Sequence, residues 1–194
     1  MTVTPAAALD AAFAAQPRER FLPPERRAAA GTDAPLDIGH GQTSSQPRTV
    51  RAMLGLLDVR PGHRVLDVGS GSAWTTALLA ELVGPGGSVL GVERVPELVA
   101  VGAQRLEASG VLRATIRPAD PDVLGAAADG PFDRILVSAM ATRIPRELVD
   151  QLAPGGVLVV PVAGVMTRVE RPGRAGAPTV TEHGRYRFVP LVGG

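Results

Sequence analysis

One segment constrains this chain more than any other: Val65-Leu66-Asp67-Val68-Gly69-Ser70-Gly71-Ser72-Ala73-Trp74, an apolar run that passes through a glycine loop into a helical pattern. An apolar run this short reads as a strand buried on both faces, and such strands belong to parallel sheets covered by helices. Gly69 and Gly71 free the backbone for a tight turn and for close approach to a ligand. The helix predicted over Trp74 to Val83 carries the chain back along the sheet, a crossover that is right-handed in nearly all folds.

The same rhythm continues on either side. Val50, Met53, Leu54 and Leu57 stand at i, i+3, i+4 and i+7, one apolar helix face opened by Pro47 and stopped by Pro61-Gly62 after Asp58. Downstream, Ser88 to Val92 predicts a second strand, and Pro96 opens a helix through Leu98, Val101 and Leu106. Arg113 to Arg117 and Phe132 to Val137 predict two further strands, Ile144 to Leu152 a short helix, and Val157 to Val162 another buried strand. Over the last thirty residues the rhythm breaks, and Val165 to Glu170 and Arg185 to Leu191 predict a terminal antiparallel strand pair. The expected fold class is α/β: a doubly wound, mostly parallel, Rossmann-like sheet. No linker interrupts the pattern, so residues 1–194 read as a single domain. It comprises a lead-in over 1–46 with a helical stretch at Leu9 to Ala15, a core over 47–162, and the strand pair over 163–194.

Composition narrows the function. Without cysteine there are no disulfides, thiolate metal sites or cysteine nucleophiles, and three scattered histidines leave no ligand spacing, so no metal is expected. All twenty basic residues are Arg, yet the net charge is only +1, which gives no footprint for nucleic acid. The longest apolar stretch, Val157 to Met166, spans half of the roughly 20 residues a membrane helix needs. The Ala-rich start lacks a basic region and is interrupted by Asp10, unlike a signal peptide. A soluble, cytoplasmic protein that meets neither membrane nor nucleic acid is expected.

In a doubly wound sheet the ligand sits at the carboxyl ends of the strands. Here Trp74 stands where a dinucleotide fingerprint needs its third glycine, and no phosphate-loop Lys is present. Instead acids follow in register. Asp67 ends the first strand, Glu93 closes the second, where a carboxylate can accept both hydroxyls of a ribose, and Asp120 follows the third, placed for an adenine edge. Acids around a G-x-G without a phosphate-binding cation suit S-adenosylmethionine, which offers an ammonium, a ribose diol and an adenine but no phosphate.

These residues, VLDVGSGSAWTTALLAELVGPGGSVLGVE, resemble the cofactor motif of protein-L-isoaspartate O-methyltransferases. So do PRERFLPP (17–24), APLDIGHGQTSSQP (34–47), PFDRILVSAM (131–140), LAPGGVLVVPV (152–162) and RFVPL (187–191), in the family's order. The resemblance implies the class I methyltransferase fold. It also implies methyl transfer from S-adenosylmethionine to the free α-carboxylate of L-isoaspartyl residues in damaged proteins or peptides, leaving S-adenosylhomocysteine. The methyl ester then closes to a succinimide unaided.

Residue by residue, it implies that Ser45 is the active-site serine, orienting the carboxylate by a hydrogen bond rather than attacking. Because Ser45 precedes Pro47, its hydroxyl is equally placed to cap the helix. Thr43, Ser44, Asp67, Gly69, Ser70, Gly71, Glu93, Arg94, Asp120 and Pro121 match the cofactor side, and Ser138, Ala139 and Met140 the substrate side. The chain departs from the family's usual Gly at Ala73 and Gly-Asp-Gly at 119–121, where Pro121 removes an N–H. Two other readings use the same residues: a carboxyl O-methyltransferase acting on a biosynthetic peptide or small acid, and a non-catalytic cofactor-binding protein.

Overall fold

In a computed structural model, residues 3–192 are described. The centre is a seven-stranded sheet of β3 (Arg64–Val68), β4 (Ser88–Glu93), β5 (Ala114–Pro118), β6 (Phe132–Val137), β7 (Leu152–Val162), β8 (Val165–Glu170) and β9 (Thr179–Arg185), in the order β5-β4-β3-β6-β7-β8-β9. Strands β3 to β7 are parallel; β8 and β9 run antiparallel. The chain crosses over between β3 and β6, and at such a switch point adjacent loops part to leave a crevice.

Both faces of the sheet are apolar, as the continuous strand runs imply. On one, Val65, Leu136, Val157 and Val159 pack with residues of α1 (Ala6–Ala15), α2 (Pro47–Leu57) and α3 (Trp74–Val83). On the other, Leu66, Val68, Ile135, Val137, Leu158 and Val160 meet Leu148 of α5 (Arg146–Asp150) and, from the chain between β5 and β6, Leu124 and Ala126. Neighbouring residues on each strand divide between the two clusters, the period of two that the pleat imposes. The remaining helix, α4 (Pro96–Ala108), lies along β5, with Leu106 in the first cluster.

Helix α2, which presents Ser45 at its start, is fixed at both ends. The Arg48 N–H donates to Asp33 Oδ1 across 3.0 Å, an anion at the positive end of the helix. At the other end, Arg168 Nε donates to the Leu56 carbonyl (3.0 Å), Arg134 Nε to that of Asp58 (2.8 Å), and the Thr4 hydroxyl to that of Leu54 (2.6 Å). The cations face the negative end of the helix dipole and satisfy carbonyls that the helix leaves open.

The structure moves some predicted boundaries. The second strand of the terminal pair is Thr179–Arg185, not Arg185 to Leu191. Thr179, Val180 and Thr181 are β-branched and pair with β8, whereas the chain after Arg185 crosses the strand ends and is pinned by Met140 N to Val189 O (2.7 Å) and Leu191 N to Met140 O (2.8 Å). Pro190 in that segment has no N–H for a ladder. The helix expected over Ile144 to Leu152 is only Arg146–Asp150, because Leu152 already pairs with Phe132 at the start of an eleven-residue β7. The lead-in also holds an unpredicted hairpin of β1 (Leu36–Gly39) and β2 (Gln42–Ser44).

Candidate active site

The crevice at the switch point opens into two cavities that share Thr43, Ser45, Ser138 and Val189. The first is built on the glycine loop. Gly69 (φ +78°) and Gly71 (φ +54°) lie in the left-handed region, and a Cβ at Gly71 would stand 3.3 Å from Ile38 Cδ1 on the opposite wall. Ala73 adopts φ +80° at the start of α3; an L-residue there carries about 1–2 kcal/mol of strain. The N–H groups of Gly69 and Ser70 donate to the Val92 carbonyl across 2.9 and 3.2 Å, tying the loop to the neighbouring strand.

Two carboxylates face this cavity. Glu93, 5% exposed, accepts from Gly71 N through Oε2 (2.9 Å) and from Val95 N through Oε1 (3.0 Å). A carboxylate has about four lone-pair positions, so acceptor capacity towards the cavity remains. Asp120 stands exposed at the rim, its Oδ1 accepting from Asp122 N at 2.9 Å. Asp67 is fully buried and is not part of the wall, although Val68 and Gly69 beside it are. Its Oδ2 accepts from the Thr76 hydroxyl at 2.7 Å, while Oδ1, like Ser70 Oγ, has no hydrogen-bond partner among the described residues. Burial raises its pKa from 3.8 to about 7, the Thr76 hydrogen bond lowering and the Glu93 charge raising it by less.

The expected residues are largely gathered here. Thr43, Ser44, Ser45, Gly69, Ser70, Gly71, Glu93, Arg94, Asp120, Ser138 and Ala139 all line the first cavity. Pro121 is exposed and belongs to neither wall, and Met140 instead anchors the closing segment through its backbone, its Sδ accepting from Gly164 N at 3.1 Å. Ser45 is half-buried, and among the described residues its hydroxyl has no hydrogen bond. The cap of α2 is Gln46, so the capping role is not its own.

Sequence reasoning missed Arg18. Buried at 5% exposure, its guanidinium lies 5.4 Å from the Trp74 ring centroid. It donates to Ser44 Oγ (3.1 Å) and to the carbonyls of Ser44 (2.8 Å), Ala34 (2.9 Å) and Thr32 (3.1 Å), gathering the lead-in behind the Ser44-Ser45 loop. Ile38, Val123 and Val189 to Val192 are further wall residues; of these, Ile38 lay inside the motif at 34–47 and Val189 to Leu191 inside the closing one, both without an assigned role.

The donor set fits S-adenosylmethionine. Carboxylates suit a ribose diol and positive charge, the apolar Ile38, Val92, Val123 and Leu124 can flank an aromatic base, and no lysine stands ready for phosphate. Among the described residues there is no group of three or more acids and histidines that could hold a metal, and no helix long and apolar enough to cross a membrane.

Comparison with known proteins agrees with this geometry. The sequence profile of the protein-L-isoaspartate(D-aspartate) O-methyltransferase family matches residues 3–194. A protein-L-isoaspartate O-methyltransferase of Aeropyrum pernix is 44% identical over 194 residues, with 94% of this chain and 71% of that protein covered. One from Pyrococcus horikoshii is 39% identical, with 95% and 84% covered. A crystal structure from Plasmodium falciparum, described as a protein-L-isoaspartate O-methyltransferase in complex with S-adenosyl-L-homocysteine, matches at TM-score 0.83 and 25% identity over 95% of this chain and 89% of that one. From the glycine loop at the switch point to the closing segment, the chain belongs to the protein-L-isoaspartate(D-aspartate) O-methyltransferase family.

Proposed function

We propose that this protein transfers the methyl group of S-adenosylmethionine to the free α-carboxylate of L-isoaspartyl residues in damaged peptides and proteins, as a cytoplasmic repair enzyme. The observation that carries this reading is the position of Ser45: an unpartnered hydroxyl on the wall common to the acid-bearing cavity and to a second, open cleft.

The acceptor needs no general base. An α-carboxylate has a pKa of roughly 3.5 and is ionised at neutral pH. What the protein must supply is alignment and the exclusion of water. Ser45 donates its hydroxyl proton in a hydrogen bond to one carboxylate oxygen, which leaves the other oxygen to face the first cavity. Gly69 to Gly71, Glu93 and Asp120 hold the cofactor, with Asp67 behind them as a charge reserve. When bound, S-adenosylmethionine supplies a methyl group activated by the positive charge on sulfur. The segment from Val189 to Val192 and the side chain of Ile38 line the cavity in which the two would meet.

Ser45→Ala tests the assignment. Because Ser45 caps nothing, the thermal midpoint should stay within about 1–2 °C, a surface-scale change. Turnover on an L-isoaspartyl peptide should fall more than about tenfold while S-adenosylhomocysteine affinity is retained. Unchanged turnover would remove Ser45 from the reaction.

A further inference from the structure

The second cavity, about 650 Å³, extends from Ser45 away from the cofactor side. Its wall carries three arginines, Arg48, Arg185 and Arg187, and no acidic residue. This is not the consequence of a basic protein, since the net charge is +1. Arg48 pairs with Asp33 at 3.5 Å, but that carboxylate also accepts from Gln46 Nε2 and the Arg48 N–H, and the Arg48 side chain remains 82% exposed. Arg185 and Arg187 have no hydrogen bond or ion pair among the described residues, whereas Arg18, Arg134 and Arg168 are each tied to carbonyl groups. Glu182, the nearest acid in sequence, is exposed and forms no ion pair with either.

The backbone that carries Arg185 and Arg187 is held in place. The chain from Arg185 to Phe188 alternates: Tyr186 and Phe188 pack against the core, and Arg185 and Arg187, each preceding one of them, are exposed. Tyr186 N donates to the Gly164 carbonyl at 2.9 Å, and the Val189 carbonyl accepts from Met140 N at 2.7 Å, so Arg187 sits between two anchored points. A backbone fixed on both sides lowers the cost of ordering the side chain on binding. Ser45 shares this wall with the three arginines, which puts their guanidinium groups on the same cleft as the hydroxyl proposed to meet the isoaspartyl carboxylate.

We propose that this cleft selects acceptors with an aspartyl or glutamyl side chain flanking the isoaspartyl residue, received by Arg185, Arg187 and Arg48. The inference rests on the proposed methyl transfer and deepens it by naming the substrate class. Exposed ion pairs are individually weak, so the preference is the sum of three and falls with salt.

The test uses end-blocked L-isoaspartyl peptides that differ only in a flanking Glu, Gln or Lys, with labelled methyl transfer as readout. The Glu peptide should exceed the Gln peptide in kcat/KM by about fivefold or more at low salt, with the difference in KM rather than kcat. Arg187→Glu should invert the order of the Glu and Lys peptides. A fourth peptide, with Gln and an unblocked C-terminus, separates a chain-end carboxylate from a side-chain one. Equal kcat/KM for Glu and Gln peptides, a gain for the unblocked peptide alone, or an order unmoved by Arg187→Glu would each overturn the proposal while methylation persists. Failure to methylate any of the four would instead overturn the function on which it rests.

Discussion

Asp67 makes the stability of this protein a function of pH near neutrality, and Asp67→Asn exposes that dependence. In the unfolded chain the carboxyl titrates near 3.8; folded, with no solvent contact, it titrates near 7. Between those values the folded state holds a proton that the unfolded state has released. The group's relative stabilisation is therefore complete below pH 4 and is lost as pH rises to 7. At about 1.4 kcal/mol for each pH unit, roughly 3 kcal/mol should disappear between pH 5 and pH 8. The asparagine keeps an oxygen to accept from Thr76 but does not titrate. Urea unfolding of the cofactor-free protein at several pH values should show the variant gaining on the native sequence by about that amount between pH 5 and 8. Parallel pH profiles for the two proteins would refute the burial argument.

Other consequences follow from the same contacts. Glu93→Ala should weaken S-adenosylhomocysteine binding at least about tenfold by calorimetry, and, because the N–H groups of Gly71 and Val95 lose their acceptor, should cost about 1–3 kcal/mol of stability. Arg18→Met should cost about 2–6 kcal/mol in denaturant titration, from the two buried Ser44 acceptors left without a donor. Gly91→Ala would place a Cβ 2.8 Å from Ile116 Cγ1 and 3.0 Å from Ser70 Cβ. We expect it to push the glycine loop from its place, and a cofactor affinity equal to that of the native protein would show that the loop tolerates the displacement.

What could be read from the sequence was what has a period or a fixed chemistry. The helix Trp74–Val83 was legible to the residue, because a glycine loop opens it and Gly84-Pro85 closes it. The parallel strands β3, β4, β6 and β7 were legible because both their faces are largely buried, whereas the mostly exposed β5 gave a weaker pattern. The β1–β2 hairpin was not: its strands of four and three residues bury only Ile38 and Ser44, too few to show alternation. Thr179–Arg185 escaped notice because its side chains are mostly exposed, and the more apolar Phe188 to Leu191 drew the assignment. Arg18 left no pattern, since its partners are backbone carbonyls and one hydroxyl up to 26 residues away. For Ser45, capping and substrate orientation both ask for a hydroxyl before Pro47, and only the placement of Gln46 at the cap separates them.

Labelled methyl transfer to matched peptides that differ only in carrying L-isoaspartate or L-aspartate tests the central claim most directly. The aspartyl carboxylate sits one methylene further from the backbone and should miss alignment with Ser45. The account predicts methyl ester and then succinimide from the isoaspartyl peptide alone. A protein that binds S-adenosylhomocysteine yet leaves isoaspartyl peptides unmodified, or methylates both members of each pair equally, contradicts it.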